Sequence, residues 1–572
     1  MLNVALAQME VRAGRPDINL EKMLKFIETA KKESADLIIF PYLSISGSMI
    51  DHLLHQSSFM NDCTTCNEDI LKASDGITIL FSNRCEDIFL AAKNGEWVSE
   101  REILDLFKIR MKGKRYKIVF SFEDEMFDFE LKFREKNPDF CIVFSASPFV
   151  MGKNKERDVY FKERAKALGC PIIYVNCVGV QNTGKTIYPF DGNSTVYNSK
   201  GDIVLRAKPF EESLMFVDLG KVDIMPPIVE SEEPAIAEVY RALHGGVKHF
   251  LSQIGMKKIV IGISGGIDSA VDAALYTKVL GAENVLLVNM PSVFNSATTR
   301  GLSEQLAKNL GCNYMVVPIQ ESVDHTVKQL ESIPMTYLTD GSTHKIELSS
   351  FVRENIQARD RSSRILAALA AAFGGGFTCN ANKAETTIGY ATMYGDCAGV
   401  VSALADLWKY QVYELARYLN DEIYKREVIP QGIIDIVPSA ELSTAQNVDE
   451  GKGDPLKYPY HDYLFRAFVE GTDDRDITPE EILQWYADGK LEEKIGCEKG
   501  LVKKYFTTAE EFINDLERWW NQFTGIAVAK RIQAPPIIAV TNHAFGSDFP
   551  EAQGCTYYSR AYKALKSKLL AK

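Results

Sequence analysis

Two spacings of apolar residues alternate along the first 220 residues and predict a layered α/β fold. Short apolar runs such as VALAQM, DLIIFPYL and DFCIVFSASPF have the length and composition of buried strands. Between them, LEKMLKFIETAKKES places Met23, Phe26, Ile27 and Ala30 at helical spacing, which gives a helix with one apolar face. Strands that alternate with amphipathic helices are typical of layered α/β domains.

A second α/β pattern follows a segment whose composition is typical of a linker. Residues 221–235, VDIMPPIVESEEPAI, combine prolines with acidic residues and show no periodicity. The apolar runs KKIVIGIS and ENVLLVNMPS then flank the helical segment SAVDAALYTKVLG. Such a βαβ unit implies a parallel sheet with helices on both faces.

The C-terminal part of the chain shows a third pattern, in which helical segments are rich in aromatic residues. It begins near Asp462 and includes ILQWYADG and FINDLERWWNQF, and we interpret Trp519 and Trp520 as core residues. A chain of 572 residues is too long for one hydrophobic core. We therefore expect two domains, at 1–220 and 236–572, with a helical extension at the end of the second.

Charge and cysteine content exclude several classes of function. The net charge of −12 and the pI near 5.4 argue against a nucleic-acid partner, which requires a concentrated basic face. No apolar run approaches the ~20 residues that cross a bilayer, and the first residues lack a basic leader, so we expect a cytoplasmic protein without membrane contact. The CxxC pair Cys63 and Cys66 has no second pair at metal spacing, and we expect neither zinc nor disulfides.

The strongest chemical signal is a glycine-rich loop between a strand and a helix. In SGGIDSA, Gly265 and Gly266 allow the backbone to approach an anion, while Ser264 and Ser269 add hydroxyl donors to the amides at the helix start. A Walker loop would need Lys and Ser or Thr after GxxxxG, and neither is present. Asp268 fits a ligand of Mg²⁺ bridging phosphates.

The loop resembles the pyrophosphate loop of the ATP pyrophosphatase superfamily, whose members cut ATP between the α and β phosphates. That superfamily includes GMP, asparagine and argininosuccinate synthetases and tRNA thiolation enzymes, so the loop alone leaves the substrate open. Three further segments resemble those of NAD synthetases across about residues 240–460. They are MPSVFNSATT, the long run from NIQARDRSSR to YELARYL, and PSAELSTAQNVDE.

This resemblance implies a ligase that uses ATP and Mg²⁺ to amidate deamido-NAD. The nicotinate carboxylate would attack the α phosphate to give an acyl adenylate and pyrophosphate, and ammonia would then displace AMP. The implied fold is a doubly wound parallel sheet of the adenine nucleotide α-hydrolase type. The implied assembly is a homo-oligomer built on a dimer of ligase domains.

The resemblance also implies roles for individual residues. Glu385 in NKAETTIGY would hold metal ions together with Asp268, whereas Asp396 and Lys409 would lie near the reacting phosphate and the nicotinate.

Further roles are implied in the later motifs and in one helix. Ser439 would touch phosphate, and Asp449 with Glu450 would form an acidic pair near the ammonia entry. Arg359 and Arg361 leave opposite faces of a helix, so at most one should bind ATP, and Arg359 is the candidate we select.

The N-terminal region resembles the nitrilase-type glutaminase domain of long NAD synthetases, which implies an αββα sandwich. The resemblance rests on the opening MLNVALAQMEVRAG, on the strands PDFCIVFSASPF and GCPIIYVNCVGVQN, and on the closing hairpin PFDGNSTVYNSKGDIVLRAKPFEE. Such domains need a cysteine nucleophile, a glutamate base and a lysine that stabilises the oxyanion.

All three catalytic positions of that domain are vacant here. FPYL places Tyr42 where FPEL would place the base, and FSFED places Phe122 before Glu123 and Asp124, where CED would place the nucleophile. The lysine normally precedes an LPNY-type loop that is missing. Cys141 and Cys177 lie on other strands.

Three interpretations remain open. The first is a working synthetase that uses free ammonia, or ammonia from a separate glutaminase, and keeps the first domain as a scaffold. The second is a regulatory or ligand-sensing pseudoenzyme. The third is an ATP pyrophosphatase acting on another carboxylate or on tRNA. Filled ligase motifs favour the first.

Overall fold

Two compact units make up the described part of the chain. The computed structural model describes residues 2–83, 88–101, 106–123, 137–229, 233–471, 477–546 and 556–571. The first unit comprises Met1–Thr183, Ile187–His249 and Ala539–Thr541; the second comprises Gly184–Thr186, Phe250–Ile538 and Asn542–Lys572. The domain limits expected at 1–220 and 236–572 stay a prediction. The main division between the two compact units falls at residue 249.

The first unit is built from two six-stranded sheets. Its strands are β1 (Asn3–Gln8), β2 (Leu37–Ile39), β3 (Thr78–Asn83), β4 (Ile88–Lys93), β5 (Glu96–Arg101), β6 (Leu106–Met111), β7 (Lys114–Phe122), β8 (Phe140–Phe144), β9 (Ile172–Val175), β10 (Val178–Asn182), β11 (Thr186–Asp191), β12 (Thr195–Tyr197), β13 (Ile203–Arg206) and β14 (Ser213–Asp218). One sheet has the order β14-β1-β2-β3-β4-β5, the other β13-β12-β9-β8-β7-β6. The strands β10 and β11 belong to neither of these sheets and pair antiparallel with each other. Each sheet is mixed: β1, β2 and β3 run parallel, as do β7, β8 and β9.

Helices α1 (Pro16–Lys32), α2 (Ser57–Ala73) and α3 (Lys153–Leu168) cover the outer faces of these sheets, and α4 (Ala235–Gln253) follows the last strand. Apolar side chains of both sheets, among them Leu6, Ile39, Ile118 and Ile142, form one core between them. Since Phe161 of α3 packs on the opposite face of the second sheet, the layers are those of the expected αββα sandwich.

The second unit contains a four-stranded parallel sheet of order β17-β16-β15-β20. The described strands of this unit are β15 (Ile259–Gly262), β16 (Val285–Asn289), β17 (Asn313–Val316), β18 (Met335–Thr336), β19 (Thr343–His344), β20 (Gly376–Phe377) and β21 (Ile537–Ile538). Chain order runs outward from β15 to β17 on one side and resumes with β20 on the other, which is a doubly wound arrangement. The expected fold class is therefore confirmed for both units.

Helices surround this sheet and build the C-terminal extension. They are α5 (Ile267–Leu280), α6 (Ala297–Leu310), α7 (Gln320–Ser332), α8 (Ser350–Arg359), α9 (Ala367–Phe373), α10 (Lys383–Ile388), α11 (Lys409–Tyr418), α12 (Gln431–Asp435), α13 (Tyr458–Glu470), α14 (Pro479–Ala487), α15 (Leu491–Ile495), α16 (Leu501–Tyr505), α17 (Ala509–Thr524), α18 (Ile526–Gln533) and α19 (Arg560–Leu570). Trp519 is buried in the core of the extension and Trp520 packs against it, as expected. Among the described helices, none has both the length and the apolarity of a bilayer-spanning segment.

Candidate functional site

The glycine-rich loop lies at the carboxyl end of β15, where open parallel sheets bind ligands. The strand is buried, the chain turns at Gly265, and α5 begins at Ile267. Gly265 has a φ of +89°, and a Cβ on it would lie 2.4 Å from the Thr299 carbonyl oxygen. Only glycine satisfies both conditions, so the sequence here dictates the loop.

Two serines brace the loop from within. The Gly266 amide donates to Ser264 Oγ at 3.2 Å, and Ser269 Oγ donates to the Gly266 carbonyl at 3.1 Å. The two hydroxyl oxygens are 3.3 Å apart. Backbone amides and hydroxyls thus converge at the N-terminus of a 14-residue helix, where the helix dipole favours an anion.

Asp268, in the first turn of α5, is paired with a lysine from a distant motif. Lys409 Nζ donates to Asp268 Oδ2, and Asn382 Nδ2 donates to Oδ1 at 3.1 Å. The Lys409 side chain is only 4% exposed. Burial would lower the pKa of Lys409, but the charges of Asp268 and Glu385 raise it above its ordinary value, so the ammonium stays protonated.

Glu385 lies beside this pair. Its Oε1 is 3.7 Å from Lys409 Nζ and accepts a hydrogen bond from the Tyr458 hydroxyl at 3.1 Å. It also closes a capping box with Asn382 at the start of α10, so the same residue orders the helix and faces the lysine. Burial, followed by the charge of Asp268, raises the pKa of Glu385 to about 8.

A cavity of about 260 Å³ joins the loop to these charged groups. Most of the residues that the sequence selects line it: Ser264, Gly265, Gly266, Asp268, Ser269, Glu385, Asp396, Lys409 and Ser439. Asp396 accepts from the Thr392 amide at 2.6 Å, and Ser439 Oγ donates to the Gln446 carbonyl at 2.6 Å. Motifs far apart in sequence therefore meet at one concave site.

The two arginines lie in different surroundings. Arg361 lines the cavity, whereas Arg359 is exposed and donates its Nε to the Met393 carbonyl. Arg361 Nε donates to the Met290 carbonyl and Nη2 to Asn295 Oδ1. The helix widens into π-type turns at residues 360–366, and Arg361 lies in these turns directly after α8. The selection of Arg359 for ATP stays a prediction, and the cavity makes Arg361 the alternative.

The acidic pair Asp449 and Glu450 lies away from the cavity walls. Both residues are exposed, and Glu450 pairs with Lys452 at 2.6 Å. Sequence reasoning missed Asp454, which lines the cavity and accepts hydrogen bonds from the Tyr390 hydroxyl and the Ala440 amide. The sequence feature that could have indicated Asp454 is its position in the same acidic loop as Asp449 and Glu450.

In the first unit, the two residues expected at the amidase base and nucleophile positions, Tyr42 and Phe122, come together. Tyr42 follows β2 and Phe122 ends β7; their ring centroids are 4.5 Å apart in an edge-to-face arrangement. Phe89 and Phe144 extend the same aromatic cluster in the core between the sheets. Asp124, the last residue of the altered CED motif, lies outside the described residues.

Glu123 is buried and fully engaged beside this cluster. Its carboxylate accepts hydrogen bonds from Arg157 Nε at 2.8 Å, Ser145 Oγ at 2.8 Å and the Tyr174 hydroxyl at 3.0 Å. Burial would raise the pKa of Glu123, but the charges of Arg157 and Lys153 lower it to about 2. The arrangement is that of a buried structural ion pair.

Comparison with known proteins identifies both parts of the chain. Residues 239–495 match the family model for NAD synthase, and residues 3–82 match that for carbon-nitrogen hydrolase. The glutamine-dependent NAD(+) synthetase of Xylella fastidiosa strain Temecula1 is 30% identical over 83% of this chain and 89% of its own length. That of Aquifex aeolicus is 29% identical over 96% of this chain and 98% of its own.

Solved structures agree. The glutamine-dependent NAD+ synthetase of Acinetobacter baumannii, in complex with ADP, superposes with a TM-score of 0.67 at 26% identity and covers 97% of this chain and 98% of its own. A glutamine-dependent NAD(+) synthetase from Cytophaga hutchinsonii, with a TM-score of 0.74 at 16% identity over 99% of both chains, supports the fold. The chain belongs to the NAD synthetase family whose members carry a nitrilase-like domain ahead of the synthetase domain.

Proposed function

We propose that this NAD synthetase amidates deamido-NAD using ATP, and that it takes nitrogen from free ammonia rather than from glutamine. The contact between Tyr42 and Phe122 supports the second part of the proposal, since these aromatic rings stand where the resemblance would place an amidase base and nucleophile. The relatives named above are called glutamine-dependent, and under this proposal the chain differs from them at its amidase site.

In the first half-reaction, a carboxylate oxygen of the nicotinate attacks the α phosphorus of ATP. A new C–O–P linkage forms, the bond to the bridging oxygen breaks, and pyrophosphate leaves with its electron pair. The amides of Gly265 and Gly266 and the hydroxyls of Ser264 and Ser269 hold the phosphates in place. Lys409 and Arg361 supply positive charge on the cavity wall toward the departing pyrophosphate.

The donor set around Asp268 and Glu385 fits Mg²⁺. Two carboxylates converge on one lysine in a largely buried site; burial, followed by the charge of Asp268, raises the pKa of Glu385. Hard carboxylate oxygens are the ligands that Mg²⁺ takes in phosphate sites. When bound, the metal would neutralise charge on the triphosphate.

In the second half-reaction, ammonia attacks the acyl carbon of the adenylate. The C–N bond forms, the C–O bond to the phosphate breaks, and AMP leaves with the electron pair; a proton from nitrogen passes to solvent. Enclosure by the cavity limits competition from water. The acidic residues that could receive a proton here include Asp454, whereas Asp449 and Glu450 point away in the described conformation.

In this chain, the nitrilase-like unit lacks the catalytic groups that release ammonia from glutamine. A tyrosine with a pKa near ~10 is not a base at neutral pH, and phenylalanine has no nucleophilic atom. The thiols of Cys141 and Cys177 are buried, and burial raises their pKa values, so neither forms a thiolate readily. Lys153 is held by Ser147 Oγ at 2.7 Å and by Glu123.

We also propose that the chain forms a homo-oligomer built on the synthetase unit. Exposed apolar side chains cluster in sequence from β18 to the start of α8: Met335 is 55% exposed, Leu338 92% and Phe351 67%. Exposed apolar surface of this kind marks contact sites. Sedimentation of the full chain tests it: a monomer at micromolar concentration contradicts the assembly.

The ligase chemistry is tested by following pyrophosphate and AMP together. With ATP, Mg²⁺, ammonium and deamido-NAD, we expect the two products and NAD to appear in equal amounts. Omission of deamido-NAD should abolish all three. Release of pyrophosphate without deamido-NAD, or with an unrelated carboxylate at the same rate, contradicts the assignment.

A further inference from the structure

A second charged cluster lies buried behind the Glu385–Lys409 pair and takes no part in the chemistry above. We call it the Lys383 cluster; it consists of Lys383, Asp406, Glu470 and Trp408. Lys383 Nζ is 2.8 Å from Asp406 Oδ1 and 3.1 Å from Glu470 Oε1. The side chains of Lys383 and Asp406 are wholly inaccessible to solvent.

Trp408 joins the cluster through its ring. The Nε1 donates to Glu470 Oε1 at 2.9 Å, and Lys383 Nζ lies 5.2 Å from the centre of the ring. The backbone adds a further tie, because the Lys383 amide donates to the Leu407 carbonyl at 2.8 Å. The first residue of α10 is thereby fastened to the segment that precedes α11.

The members of this cluster are neighbours in sequence of the site residues. Glu385 follows Lys383 by two positions, and Lys409 directly follows Trp408. Glu470 ends α13, whose first residue, Tyr458, donates to Glu385 and lies under the Lys409 ammonium. The helix is thus attached to the charged site at one end and to the Lys383 cluster at the other.

Stability alone is a weak reason to bury these charges. A buried ion pair is often no more stabilising than apolar residues of the same volume, because desolvation offsets the attraction. What such a network does supply is a directional constraint among its members. Here the constraint links the three segments that carry Glu385, Lys409 and Tyr458.

We propose that the Lys383 cluster positions Glu385 and Lys409 for binding of the metal–ATP complex, with Lys383 and Glu470 as positioning residues that do not touch the substrate. The inference rests on the proposed function, since it takes Glu385 as a ligand of Mg²⁺. Groups that orient metal ligands from behind affect metal affinity by about 10- to 100-fold when removed.

Glu470 is the member best suited to substitution, because its side chain is 24% exposed and the protein can tolerate its loss. Glu517 of α17 is a matched control: it is 22% exposed and likewise accepts from a lysine, Lys566 at 2.6 Å, and from an aromatic side chain, the Tyr562 hydroxyl at 3.0 Å. It lies in the extension core rather than at the charged site.

The experiment measures binding of MgATP by calorimetry without deamido-NAD, together with thermal unfolding. We expect Glu470→Ala to weaken MgATP binding about tenfold, Glu470→Gln to restore most of the affinity because the amide oxygen still accepts, and Glu517→Ala to bind as the wild type does. Both alanine variants should lower the melting temperature by similar amounts. Trp408→Phe, which removes the Nε1 donor together with part of the buried ring, should weaken binding in the same direction.

Two results overturn the inference. One is unchanged MgATP affinity in folded Glu470→Ala or in Trp408→Phe; the other is an equal loss in Glu517→Ala, which would reduce the effect to general destabilisation. Failure of the wild-type protein to bind MgATP is a separate outcome that overturns the proposed function itself and the inference resting on it.

Discussion

The ring of Tyr42 meets the ring of Phe122 edge to face, with 4.5 Å between their centroids. These residues are 80 positions apart in sequence. We propose that each replaces a catalytic residue of the nitrilase type. Under this proposal, paired aromatic rings stabilise the core where polar catalytic groups would need hydrogen-bond partners.

Restoring two of the lost residues should not restore glutaminase activity. The double change Phe122→Cys with Tyr42→Glu supplies a nucleophile and a base but no positioned lysine for the oxyanion, and members of a catalytic set act as a unit. It also removes an aromatic pair worth about 0.5–1.5 kcal/mol beyond its buried area. We expect no glutamate release from glutamine and a lower melting temperature.

The matched comparison is the double change Phe122→Leu with Tyr42→Phe, which keeps the cluster apolar. It should unfold at a temperature between those of the wild type and the Cys/Glu variant, because it loses the aromatic pair but buries no polar group. Glutamate release by the Cys/Glu variant above the level of this control would contradict the absence of the third residue.

Asp268→Asn should slow pyrophosphate release on the order of 100-fold while leaving the fold intact. A neutral amide is a weaker ligand for Mg²⁺ and also loses the ion pair with Lys409. Asp324→Asn on α7, where the carboxylate is exposed and accepts from Gln320, serves as the control and should retain full activity. Normal turnover in Asp268→Asn would contradict the metal assignment.

Substitution of Arg361 and of Arg359 in turn distinguishes their contributions to ATP binding. Arg361→Ala should raise the KM for ATP about 10- to 100-fold, because hydrogen bonds from a charged donor contribute about 1.5–3 kcal/mol. Arg359→Ala should change it less than about twofold, since this side chain is exposed and binds only a backbone carbonyl. Steady-state titration of ATP distinguishes them, and a larger effect at Arg359 would support the selection of Arg359.

Gly265→Ala should lower kcat/KM for ATP about 100-fold, because the added Cβ would displace the loop from the Thr299 carbonyl. Gly311 has a similar positive φ of +73° but open space around it. Gly311→Ala should therefore show only the conformational cost, about 1–2 kcal/mol of stability, with normal activity. Equal kinetics in the two variants would show that contact with Thr299 does not shape the loop.

His461 gives the extension core a pH dependence. It is buried against Asp515 at 2.9 Å; burial lowers its pKa, although Asp515 opposes the shift. The unfolded chain binds a proton at pH below ~6.5 that the folded chain resists, so stability is present above that pH and is lost as pH falls, by at most about 1.4 kcal/mol per pH unit. Thermal unfolding between pH 7 and 5 should be flatter in His461→Gln, and an identical slope would contradict the buried neutral histidine.

Local patterns predicted most of the fold and the centre of the site. The loop could be predicted because SGGIDSA contains its own turn, donors and helix start, and the strands because their apolar runs are short and continuous. The sequence could not decide between Arg359 and Arg361, because π-type turns after α8 depart from the regular helical spacing on which the comparison of the two rested. The Lys383 cluster was missed because Lys383 meets Glu470 only through the tertiary fold.

We propose that this NAD synthetase works with ammonia and without its own glutaminase. NAD formation from deamido-NAD and ATP can be measured with ammonium or glutamine as the sole nitrogen donor, in protein free of contaminating amidase. We expect turnover with ammonium and neither NAD nor glutamate from glutamine. Glutamate release matching NAD formation would overturn the proposal and would require another nucleophile in the first unit.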